Sequence, residues 1–102
     1  MPTAVNTPTP YQAALLRQAD QLEAALTIMH GTAYSPSLMA MRLIRRLGLA
    51  TPEKPVGELN LEALTELIAT LRRLSSTVAK PASTRMADAA DTLESYQRNT
   101  VS

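Results

Sequence analysis

The segment LEALTELIATLRRLSSTV, Leu61 to Val78, constrains the fold of this chain more than any other stretch. Leu61, Leu64, Leu67, Ile68, Leu71, Leu74 and Val78 fall on one side of a helix but would be split between the two faces of a strand. Asn60 ahead of the stripe is a good helix cap, and Leu59 is placed to pack on Leu64 as a hydrophobic staple. Pro81 should stop or sharply kink the helix.

The rest of the chain follows the same period. Thr9-Pro10-Tyr11-Gln12 reads as a helix start: Thr9 caps, Pro10 suits the first helical position, and Gln12 completes a capping box. From there Leu15, Ala19, Leu22, Leu26 and Met29 form an amphipathic face that should end near His30-Gly31. Ser35-Pro36 repeats the cap-plus-proline start, and Ala40, Leu43, Ile44 and Leu47 share a face of a second helix. Gly48 is placed to be its left-handed stop, with Leu49 beyond it folding back on Ile44. Thr51 to Gly57 reads as a loop, with two prolines and a glycine. A fourth helix, Ser83 to Arg98, has the thinner apolar line of Met86, Ala89, Ala90, Leu93 and Tyr96, so its docking should be weaker.

The fold class is therefore all-α: a small helical bundle of three main amphipathic helices plus a weaker C-terminal helix. Residues 10–98 should form one domain, with flexible segments at 1–9 and 99–102. The core has to be built from Leu, Met and Ala, because the chain has no Phe or Trp and only Tyr11, Tyr34 and Tyr96 supply rings. Such thin helices bring few large side chains to each contact, so pairing of two chains into a homodimer is expected.

Composition narrows the functional classes. Ten basic residues against nine acidic ones argue for neither nucleic acid nor an acidic membrane surface. The absence of cysteine excludes a disulfide framework, a thiolate nucleophile and Cys-ligated zinc. The opening MPTAVNTPTP lacks both the positive start and the apolar run of a signal peptide. The longest charge-free stretch, Ala24 to Met41, contains His30, Gly31, Ser35 and Pro36 and does not read as a membrane span. A soluble protein of the reducing cytoplasm fits. Eight Arg against two Lys, with much Ala, point to a GC-rich bacterial or phage genome.

Two arginine-pair segments, MRLIRRL at Met41 to Leu47 and TLRRL at Thr70 to Leu74, are the prominent polar motifs. Arg42, Arg45 and Arg46 fall within one arc of the second helix, opposite Leu43, Ile44 and Leu47. In the third helix Arg73 shares the polar face with Glu62 and Glu66, while Arg72 lies nearer the apolar edge. Both pairs sit late in their helices, where positive charge complements the carboxyl-terminal dipole. For Arg72 and Arg73 that is the ordinary reading; for the helix-two trio a helix-end role and a binding role both remain open.

Catalytic readings find little material. A triad would have to be built on His30, whose place at a helix end suits it to meet the last carbonyls of the first helix. Asp88, Asp91 and Glu94, three apart, read as a solvated face of the fourth helix rather than as a metal site. Gly31, Gly48 and Gly57 form no phosphate loop. No enzyme activity, cofactor or metal is expected.

The sequence thus points to a non-enzymatic protein–protein interaction module, a small regulator, inhibitor or assembly accessory docking on a larger protein. The expected partner-binding residues are Tyr34, Met39, Arg42, Arg45 and Arg46, an apolar centre with Met and Tyr beside a group of arginines. The alternative is a weak nucleic-acid-binding accessory protein using the helix-two arginines. It lacks a short helix-turn-helix connection and aromatic stacking platforms.

Overall fold

In a computed structural model, which describes residues 9–51, 53, 56–57 and 59–101, every regular element is helical: α1 (Pro10–Leu26), a 3-10 turn (Gly31–Ala33), α2 (Tyr34–Leu49), α3 (Leu61–Ser75) and α4 (Ala82–Val101). The side chains of residues 100 and 101 lie outside the description, as do residues 1–8, on which most of the expected flexible amino-terminal segment falls, and Ser102.

The start of α1 is the expected capping box. Thr9 Oγ1 accepts from the Gln12 amide at 3.1 Å, and Gln12 Oε1 accepts from the Thr9 amide at 3.0 Å. The helix stops at Leu26, a turn earlier than the apolar period predicts. There the Thr27 hydroxyl donates to the Ala24 carbonyl at 2.8 Å, and the amides of Ile28 and Met29 bond to carbonyls three residues back, tightening the chain. His30 is exposed and makes no side-chain hydrogen bond to those carbonyls among the described residues; Gly31, at φ +65°, makes the turn.

α2 starts at Tyr34, directly out of the 3-10 turn and without a side-chain cap, so Ser35-Pro36 lies inside its first turn. Pro36 is tolerated there because early helical amides have no intrahelical partner. Gly48 corrects a second expectation. It stands inside α2 with ordinary helical backbone, and the helix ends at Leu49 with Ala50 extended (φ −66°, ψ 139°). Leu49 is left 62 % exposed instead of folding back on the helix. The glycine is needed for contact with α1: a Cβ there would lie 2.8 Å from Leu16 Cδ2, 2.9 Å from Leu16 Cγ and 3.3 Å from the Gln12 carbonyl oxygen. Gln12 Nε2 also donates to the Ala50 carbonyl, so one side chain closes the start of α1 and the end of α2.

Asn60 caps α3, its Oδ1 accepting from the Ala63 amide at 3.0 Å. The helix ends at Ser75, well before Pro81. The hydroxyls of Ser75, Ser76 and Thr77 donate to the carbonyls of Arg72, Arg73 and Leu74 at 2.9, 2.9 and 2.7 Å, so three neighbouring hydroxyls occupy the final carbonyls. α4 continues to Val101, past the expected end at Arg98.

α1 pairs antiparallel with α2, and α3 with α4, giving two closely packed hairpins. Hydrogen bonds fix the second pairing and the seam between hairpins: Gln97 Nε2 to Thr65 Oγ1 at 2.6 Å joins α4 to α3, and Thr92 Oγ1 to Gln18 Oε1 at 2.8 Å joins α4 to α1. Met86, Ala89, Ala90 and Leu93 of α4 are all completely buried. The thin apolar line thus lies in the centre of the bundle, where alanines let helices approach closely. α4 also touches α2 across the diagonal. The bundle is accordingly flat, 50 × 28 × 17 Å, and the seam between α2 and α3 is less closely packed than either hairpin.

Candidate interaction surface

The helical period of α2 sends the five expected contact residues to two sides, Tyr34 and Arg45 toward α1 and Met39, Arg42 and Arg46 toward α3. Tyr34 turns toward α1, where it shares a shallow depression with Glu23, Thr27 and Leu38. Arg45 also faces α1: its Nη2 lies 2.8 Å from Asp20 Oδ1 and 3.0 Å from Glu23 Oε1. Hydrogen bonding to Glu23, then Asp20, raises its guanidinium above the ordinary arginine range, so it is engaged within the chain. Arg46 donates to the Val56 carbonyl at 2.9 Å and ties down the segment leading into α3.

Met39 and Arg42 remain open. Met39 is 59 % exposed, and Arg42 makes no ion pair or side-chain hydrogen bond among the described residues. Together with Leu43 and Arg46 they form one wall of a groove of about 350 Å³, with Leu59, Asn60, Ala63, Leu64 and Leu67 of the α3 side opposite. Past Met39, Ala63 and Leu67 the depression continues as a trough of about 490 Å³ between Thr32, Ser35 and Pro36 on one side and Glu66, Thr70 and Arg73 on the other. Sharing those three residues, the two depressions lie end to end as a mainly apolar channel along the α2–α3 seam.

This channel exists because the two helices meet loosely and present different kinds of side chain. Ser35, Met39, Arg42 and Arg46 lie within about 60° of arc on α2, a narrow face of one small, one apolar and two cationic residues. Across from them Ala63 and Thr70 are too small to close the seam, and Leu67 stays only half-buried. The α3 wall was not among the expected contact residues. Its signal was the width of the leucine stripe: Leu67 and Leu74 sit at one edge, beyond what packing on α4 covers.

The second arginine pair divides in the same way. Arg72 reaches across to α4, 3.0 Å from Asp91 Oδ1 and 2.7 Å from Glu94 Oε1, and is held above its ordinary pKa by hydrogen bonding to Asp91 and then Glu94. Two of the three spaced carboxylates of α4 are therefore ion-pair partners. Arg73 lines the upper trough and is unpaired among the described residues. Met29 and Met41, unlike Met39, are core residues at 5 % exposure each.

Compared with protein-family models, curated proteins and solved structures, the chain matches none. Among the described residues no helix is long and apolar enough to cross a membrane.

Proposed function

We propose that this chain is a non-enzymatic interaction module, a small regulator, inhibitor or assembly accessory, and that it docks on a larger protein through the α2–α3 channel. The observation that carries this reading is the combination of an open apolar trough, floored by Leu43, Leu64 and Leu67, with Arg42 and Arg73 at its margins, unpaired among the described residues. Interfaces favour apolar centres bordered by arginine, because removing aliphatic surface from water is favourable and guanidinium groups form directed bonds at the rim. Tyr34 and Arg45 leave the docking set, since one lies toward α1 and the other is paired with α1 carboxylates.

Dispersal of the helix-two arginines counts against a phosphate-binding face. Tracking a nucleic-acid backbone requires several cations free to meet phosphates on one side, and here Arg45 is paired with α1 carboxylates while Arg42 and Arg46 border an apolar groove, Arg46 also bonding the Val56 carbonyl.

Site-specific photo-crosslinking in the native host tests the reading. A photoreactive residue at position 39 should give a discrete adduct that disappears with Ala63→Arg, while the same group at exposed position 14 on α1 should not. Identical adducts from both positions, or none from position 39, would overturn it.

A further inference from the structure

We infer that the occupant of the α2–α3 channel is an acidic amphipathic α-helix of about four turns belonging to another protein. This rests on the docking role proposed above and names the chemistry of the partner.

Length and wall chemistry both select a helix. The channel follows α3 from Asn60 to Leu74, about 21 Å at 1.5 Å per residue. An added β-strand would need a sheet edge with unpaired amides and carbonyls, whereas both walls are helices whose backbone groups are already bonded along the helix axis. A polyproline segment would need an aromatic-lined groove, and among the described residues no aromatic one lines either part of this one. A helix needs an apolar floor and small wall residues that admit its backbone. Met39, Leu43 and Leu67 supply the first, and Ser35, Ala63 and Thr70 the second.

The margins determine the sign of the partner's charge. Among the described residues Arg42, Arg46 and Arg73 border the channel, against Glu66 as the acidic residue in its lining. Arg42 and Arg73 are unpaired among the described residues, and Arg46 commits only one of its five N–H donors to Val56. Arg42 and Arg46 are four residues apart on α2, so two carboxylates one turn apart on a docked helix would meet them together. A third carboxylate, on the opposite flank at the far end, would meet Arg73. A second copy of this chain fits less well, because it would bring the same positive surplus against itself.

The test is a display library of helical peptides of about four turns, with leucines fixed at alternating spacings of three and four and flanking positions varied among Glu, Lys, Gln and Ser. It is selected on the intact protein. Glu should be enriched on the flanks, and the selected peptides should bind about tenfold or more weakly to Arg42→Glu. Binding should also be lost with Ala63→Arg and with Met39→Lys, and kept with Arg17→Glu on the exposed side of α1. Circular dichroism checks that each variant folds. Peptides that dock in the channel but prefer Lys, or show no charge preference, would overturn the acidic partner and leave the docking role standing. Failure to select any peptide, or binding indifferent to both channel variants, would overturn both. A dimer of the protein alone that dissociates with Ala63→Arg would assign the channel to a second copy and overturn the inference.

Discussion

Replacing Gly48 with alanine separates two physical roles for that glycine. In an α-helix, Gly to Ala is worth about 1 kcal/mol of stabilisation through backbone entropy alone. Against that, the new Cβ would stand 2.8 Å and 2.9 Å from Leu16 Cδ2 and Cγ, when ordinary carbon contacts begin beyond 3.4 Å. Leu16 must shift by more than half an ångström. The Gln12 carbonyl oxygen, 3.3 Å from the same Cβ, keeps the α1 backbone close, so Leu16 must change rotamer or the two helices must part. Overpacking of this kind costs about 1–3 kcal/mol. Taking the middle of that range, Gly48→Ala should destabilise the protein by about 1 kcal/mol. In a Leu16→Ala background the clash disappears, and the same substitution should stabilise by about 1 kcal/mol, giving a coupling of about 2 kcal/mol. Urea denaturation of the four proteins in the cycle measures it. A glycine needed for a left-handed turn would show the same loss in both backgrounds, and that result would refute the close-packing account.

Three further outcomes follow from single positions. Ser37 is completely buried and its Oγ has no hydrogen-bond partner among the described residues, so Ser37→Ala should stabilise by about 1 kcal/mol in thermal or chemical melts; destabilisation would mean that the hydroxyl has a partner. Leu93→Ala removes a fully buried side chain from the centre of the bundle and should cost about 2–5 kcal/mol, whereas a loosely docked α4 would give well under 1 kcal/mol. Arg45→Glu should lower the melting temperature, and adding salt should narrow the gap from the parent as the new repulsion with Asp20 and Glu23 is screened; Arg42→Glu should leave the melting temperature nearly unchanged, and equal effects from the two would contradict their different placements.

Local rules were legible in the chain itself. The Thr9–Gln12 capping box, the Asn60 cap, the proline at the start of α1 and the helical class of every element depend on interactions within a few residues, which short sequence windows contain. The core faces of α1 and α3 were legible for the same reason, because burial recurs with the helical period. Helix ends were less so: Thr27 and the Ser75-Ser76-Thr77 hydroxyls stop α1 and α3 before the glycine and proline that look like the stronger signals.

Only the tertiary structure decided what each surface residue does. Arg42, Arg45 and Arg46 share an arc of α2, yet an α1 carboxylate pair draws Arg45 away while Arg42 and Arg46 border the open groove, Arg46 also bonding a loop carbonyl. Gly48 became a packing residue because Leu16 stands over it, from a position 32 residues earlier in the chain. Ala89 and Ala90 became central because α4 packs on α3, α1 and α2 together, and the α2–α3 channel opened where Ala63 and Thr70 leave space that Leu67 does not fill. Sequence spacing fixes the angle at which a side chain leaves its own helix. Which neighbour it meets depends on how helices distant in sequence cross, and no local period carries that information.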